Sequence, residues 1–442
     1  MQDQNNGVDS KRLSTIAAQS RKRELAACLE EKREPRFHYP FIPYDDLVSR
    51  IAGLLQLRTE IEHKEPNAIV RRFYLGAIDE RLDELHMIAA TSKQDDEAFW
   101  TYNKRLNSLP NVSEMELALR QLTSLLQRGL RRDDTRDVSE QIIQQTRHWI
   151  IEPMNLEPLD TGSEQETEGQ TSFTQETQKL FSPGTVQRFF ADVLRQYQFP
   201  WTITQDPAAG HARVSLSRRQ LTLPEDTWMS VSKIRELLGH EIETHAFRAS
   251  AGEKSSLALL SIGLQGFLDT EEGLAISYAQ EVAQQSSASK PNKTWIGTLA
   301  TGLASGVICE PFTFTRLLMF LESVNVLRSL LAGRGLTIAE IRADARKNAQ
   351  SRCLRTWRGV THLDRPGICS TKDAVYLRGF LAVSQALMEE DAMFERLMVG
   401  SVGLHHLDDL AEVGIVKPAV VHRRLATDPE LESYIMRFAD EA

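Results

Sequence analysis

Apolar residues in this chain recur every three or four positions along most of its length, and every second position only once. The change comes after the amphipathic stretch TVQRFFADVLRQY and is reversed at Ser232. Between those points WTITQD, ARVSLS and QLTLP alternate apolar and polar residues and are rich in β-branched side chains. A period near 3.6 gives a helix one buried stripe, whereas a period of two gives a strand one buried face. The pattern predicts a mainly α protein with a small antiparallel β-sheet, an α+β fold. Arg218 and Arg219 fall where the last two strands would turn back as a hairpin.

At 442 residues the chain is longer than one compact domain usually needs. Residues 1–34 are polar and read as a flexible N-terminus, in which KRELAACLEEKRE forms at most a solvated helix. Residues 35–155 form a helical N-terminal region. LVSRIAGLLQL, AIVRRFYLGAIDERLDELHMIAA, MELALRQLTSLLQRGL and SEQIIQQTRHWII carry the helical spacing there. Residues 156–176 are dominated by Glu, Gln, Thr, Gly and Ser. They cannot bury enough apolar surface to order themselves and read as a mobile linker or insertion. Residues 177–442 hold the strands, the motif described next and the remaining helices.

Composition excludes several classes of function. The net charge of −9 is interspersed, with no basic stripe for nucleic acid. The four cysteines, Cys28, Cys309, Cys353 and Cys369, show no C-x-x-C spacing and read as reduced thiols of a cytoplasmic protein. The opening MQDQNNGVDSKRL lacks the apolar core of a signal peptide. SSLALLSIGLQGFL falls short of the roughly 20 apolar residues that span a bilayer, so no membrane partner is expected.

The chemistry is concentrated in SVSKIRELLGHEIETHAFRASAG. It contains His240, Glu241 and His245 in the pattern H-E-x-x-x-H, and DTEEGLAISYAQE downstream supplies Glu271 and Glu272. Zinc hydrolases use two His and a carboxylate, keep one position open, and lower the pKa of water to about 7. A Glu beside the first His takes the proton and returns it to the leaving amine, which is the position of Glu241. The spacing is unusual. Residues i and i+5 of an ideal α-helix stand roughly 140° apart, so joint ligation by His240 and His245 predicts a local irregularity such as a π-bulge. The order hairpin, motif helix and then a second helix bearing the acid is similar to that of zincins whose third ligand is Glu. The hairpin edge offers a place for an extended peptide to add as a strand.

HEIETHAFR followed by TEEGLA resembles the family of the microtubule-associated tyrosine carboxypeptidases and the bacterial flavohaemoglobin expression-modulating QEGLA motif proteins. That family carries H-E-I-x-x-H-x-x-R and then Q-E-G-L-A or E-E-G-L-A. A further block, TKDAVYLRG at Thr371 to Gly379, is similar to its T-K-D-x-V-Y-L-x-G, and RTWRG at Arg355 to Gly359 precedes it as in the family. HKEPNAIVRRFYLGAIDERLDEL is similar to the family's N-terminal part, so the resemblance covers roughly residues 37–400.

The resemblance implies a mainly helical zinc carboxypeptidase fold in residues 177–442, one Zn2+ per chain, and removal of residues from protein or peptide C-terminal tails. It assigns the metal to His240, His245 and Glu272 and the general base to Glu241. Glu271 is the fallback ligand and a candidate partner for a ligating His. An α-carboxylate needs a cation to read it, and Arg248, Arg358, Lys372 and Arg378 are the candidates. Tyr376 is placed to donate to the developing oxyanion. Two alternatives stand beside this: an aminopeptidase or endopeptidase on the same metal core, and a non-catalytic regulatory or scaffold protein.

Overall fold

The computed structural model describes residues 5–39, 44–146, 179–207, 212–216, 218–285, 294–333, 335–422 and 424–439. The stretch read as a linker, 156–176, lies outside them. The chain divides into two compact units, each assembled from separated stretches. The first takes in Met1–Glu60, Ile78–Thr161 and Lys293–Leu377, and the second Ile61–Ala77, Gly162–Asn292 and Arg378–Ala442.

The first unit is helical. Its helices include Val112–Leu130, Thr294–Ser305, Phe314–Leu331 and Ile338–Thr356, and they pack through Met115, Leu122, Leu299, Leu303, Leu317 and Leu327. Val112–Leu130 and Ile338–Thr356 both begin in capping boxes, on Asn111 with Glu114 and on Thr337 with Glu340. The N-terminal segment read as flexible is instead a helix, Asn5–Glu31, whose last turns bury Leu25 and Cys28 in this core. Leu25 and Cys28 are three residues apart and so share a helix face. That narrow face is sufficient for docking.

The second unit carries the strands: β1 Leu180–Phe181, β2 Thr202–Asp206, β3 Arg213–Ser215, β4 Gln220–Pro224 and β5 Met229–Ser230. β3 and β4 form the expected antiparallel hairpin, with Val214 opposite Leu221 and with Arg218 and Arg219 in the connection. β2, however, pairs with β4 in parallel, so the sheet is mixed, in the order β2-β4-β3. β4 is buried from Leu221 to Pro224, which suits the central position that the parallel pairing gives it. A second small sheet pairs β1 with β5 antiparallel.

Around the sheet lie the helices Pro183–Gln196, Val231–Leu237, Phe247–Lys254 and Leu268–Gln285. Ser182 caps the first of these by accepting the Thr185 N–H at 3.2 Å, with Pro183 in the first turn. Ser230 caps the second by accepting from Lys233 at 3.3 Å. The core joins Phe189, Phe190, Leu221, Leu223, Ile234, Ile242, Leu274 and Leu431. No described helix is long and apolar enough to cross a membrane.

Candidate metal centre

The motif helix is not α-helical through its motif. Val231–Leu237 runs as α-helix, Leu238–Ala246 as π-helix, and α-helix resumes at Phe247. This is the irregularity that two ligating histidines five positions apart require. In a π-helix each N–H reaches five residues back, so side chains at i and i+5 come onto one face. The rings of His240 and His245 stand 4.9 Å apart, centroid to centroid.

Leu268–Gln285 packs beside this segment and brings Glu272 to it. Ligand atoms of His240, His245 and Glu272 all lie within 4.8 Å of one another, and His240 Nε2 is 4.0 Å from Glu272 Oε2. Zinc holds such donors at about 2.0–2.2 Å, which sets tetrahedral neighbours about 3.4 Å apart. Small side-chain rotations close that difference, and the donor set suits zinc. His240 and Glu272 keep 23% and 15% of their side-chain surface, so the cluster opens to solvent on one side.

His245 is oriented from the neighbouring helix. His245 Nδ1 stands 2.8 Å from Glu271 Oε1, which leaves its Nε2 free to ligate. Burial works against a charged His245, but the hydrogen bond and charge of Glu271 outweigh it and lift the ring to about 9. The adjacent acids therefore have separate jobs: Glu272 faces the cluster and Glu271 braces His245.

Glu241 lies next to His240 on the π-helical segment, which packs beside β3, one of the two edge strands of the sheet. Burial raises its carboxyl to about 7, with His245 opposing and Glu272 adding to the rise. A carboxyl near that value is suited to accept and return a proton at neutral pH.

Arg248, a candidate reader of the carboxylate in the sequence, is completely buried, and its guanidinium is engaged within the second unit. Nη1 pairs with Glu271, Nε donates to the Leu397 carbonyl at 3.0 Å and Nη2 to the Val402 carbonyl at 2.6 Å. Arg378 pairs with Asp269 at 3.5 Å, on the helix that carries Glu272. Arg358, Lys372 and Tyr376 belong to the first unit. There Arg358 and Lys372 are exposed, while the Arg355 guanidinium lies 5.7 Å from the Tyr376 ring centre. Asp373 of the same block is held by Arg352 and Arg355.

Two motif glycines have a steric reason. A Cβ on Gly273 would overlap the Gly379 backbone, and one on Gly379 would overlap the Asp269 carbonyl. Backbone therefore touches backbone one residue from Glu272. Gly273→Ala is expected to cost about 1–3 kcal/mol through forced separation, read as a lower urea midpoint. It is also expected to weaken zinc binding, because Glu272 moves with its helix. An alanine variant as stable as the parent would remove that constraint.

Sequence reasoning did not find Glu243. It is fully buried between the two histidines in the sequence and holds Tyr197 and Tyr278. The one available signal was an acid in the middle of an otherwise apolar helical face.

Residues 158–290 match the family model of the microtubule-associated tyrosine carboxypeptidases, in agreement with the resemblance of the motifs. The match spans less than a third of the chain and includes His240, Glu241, His245, Glu271 and Glu272; the TKDAVYLRG block lies beyond it. No curated protein and no solved structure matches the chain significantly.

Proposed function

We propose that this chain is a zinc-dependent carboxypeptidase of zincin-like architecture that removes residues from the C-terminal tails of proteins or peptides. The observation that carries the reading is the convergence of His240, His245 and Glu272 within 4.8 Å, with Glu241 adjoining on the same π-helical segment. The family match to residues 158–290 supports the carboxypeptidase class.

His240, His245 and Glu272 would hold the ion, with Glu271 fixing the tautomer and aim of His245. Zinc, when bound, supplies a Lewis acid that makes water acidic enough to ionise near neutral pH. Glu241 accepts the proton of the attacking water and delivers it to the leaving amine as the peptide bond breaks. β3 lies at a sheet edge beside the π-helical segment that carries Glu241, so an extended peptide can lie along it through main-chain hydrogen bonds. Arg378, which lies in the same unit as the cluster, remains the proposed reader of the terminal carboxylate, on the resemblance alone. All four cysteines are free, which accords with a cytoplasmic setting.

The test combines metal analysis with a C-terminal peptide library read by mass spectrometry. The expected result is one zinc per purified chain and a ladder of single-residue losses from the C-terminal end. Losses from the amino end, or internal cuts, would reassign the activity to the other peptidase classes. A chain without stoichiometric zinc would favour the scaffold reading. His245→Ala is expected to abolish both zinc retention and the ladder, since it removes one of only three protein ligands.

A further inference from the structure

We propose that Glu243 is a positioning residue for the metal set. By tying Leu238–Ala246 to the segment from His422 to Ala426, it holds the π-helical register in which His240 and His245 share one face. The inference rests on the zinc reading above.

An isolated buried carboxylate is costly, so its partners show what it is for. Glu243 Oε1 accepts from Tyr197 Oη at 2.7 Å and from the Ala426 N–H at 3.0 Å. Oε2 accepts from Tyr278 Oη at 2.6 Å. These donors are two phenols and a backbone amide, and they come from three parts of the unit. Tyr197 follows the Pro183–Gln196 helix, Tyr278 lies on the helix that carries Glu272, and Ala426 belongs to the C-terminal segment. One side chain thus joins the motif helix to the helix of its third ligand and to the end of the chain.

The backbone of the same residue makes a second tie. In an α-helix the Glu243 carbonyl would receive the Phe247 N–H. Here the Phe247 N–H passes over that carbonyl and is shared between those of Ile242, five back, and Thr244. The Glu243 carbonyl receives His422 Nε2 instead, at 2.8 Å. Next to it, Thr244 Oγ1 donates to the Gly239 carbonyl, also five back, at 2.8 Å. Side chains therefore support the widened turn from inside the helix and from the C-terminal segment.

That segment is also fastened to the α-helical turns before the motif. Arg235 Nη1 donates to the Ala426 carbonyl at 2.6 Å and to the Asp428 carbonyl at 3.0 Å. The π-helical stretch is thus gripped at its middle and just ahead of its start by the same few residues. A reversion to α-register would turn the two histidines roughly 140° apart. Preventing that reversion is the task assigned to Glu243.

The test is a Co2+ titration of the metal-stripped full-length protein, followed by visible absorption, whose bands report coordination geometry directly. Glu243→Leu and the double variant Tyr197→Phe/Tyr278→Phe are compared with the parent at a temperature where circular dichroism shows each to be folded. Both are expected to bind Co2+ at least tenfold more weakly, within the 10- to 100-fold range for loss of residues that orient ligands, and with altered bands. Glu243→Gln keeps the shape and one acceptor oxygen, and is expected to recover most of the affinity. If Glu243→Leu does not fold, the two Phe substitutions, which remove only hydroxyls, carry the test. Folded variants with parental affinity and spectrum overturn the inference while leaving the zinc reading intact. A parent chain that takes up no Co2+ overturns both.

Discussion

Glu241→Gln is expected to slow release of the C-terminal residue at least a hundredfold while one zinc per chain remains bound. The proposed ligand set, His240, His245 and Glu272, is untouched by the change. Gln matches Glu in size and shape, so the local structure should hold. What is lost is the basic carboxylate. General acid–base contributions run to about 10²–10⁴, and in the proposed mechanism one group serves both the attacking water and the leaving amine. The measurement is the single-residue ladder from a C-terminal peptide, timed for both proteins, beside zinc content. Equal rates would remove Glu241 from the mechanism. Loss of zinc from the variant would instead make Glu241 part of the metal set.

The elements that bury a stripe or a face were legible in the sequence. TVQRFFADVLRQY became the Pro183–Gln196 helix, and ARVSLS with QLTLP became the β3–β4 hairpin, because local periodicity determines which side meets the core. The parallel pairing of β2 with β4 was not legible, because alternation fixes a strand's faces and says nothing of its neighbour or direction. β1 and β5, two residues each, are too short to show a period. The Asp96–Asn107 helix is polar and starts from its Asp95 cap rather than from an apolar stripe.

Within the site, the five-residue spacing of the histidines was informative because helix geometry makes it a contradiction unless the helix widens. Glu243 and Arg248 gave no comparable signal. The partners of Glu243 include Tyr197, Tyr278 and Ala426, and those of Arg248 include carbonyls at Leu397 and Val402. A charged residue is normally taken as exposed, and only the fold brings distant groups together to satisfy it inside.

Arg248→Ala is therefore expected to act on stability rather than on substrate recognition. The guanidinium is wholly buried and neutralises Glu271, itself buried, while its other nitrogens satisfy two backbone carbonyls. Removing one partner of a buried pair leaves an uncompensated charge and typically costs about 3–5 kcal/mol. The loss should appear as a large drop in the urea midpoint of unfolding. Arg248→Lys should recover little of it, because one ammonium cannot reach the three acceptors that the planar fork spans. The stranded Glu271 would take up a proton or shift, loosening its hold on His245 Nδ1, so zinc affinity should fall in parallel with stability. If Arg248 instead read the substrate's terminal carboxylate, the outcome would be opposite: parental stability and zinc content, with a raised KM. Urea midpoint, zinc content and KM measured on one preparation separate the two roles, because a guanidinium with no exposed surface has no face to offer a peptide.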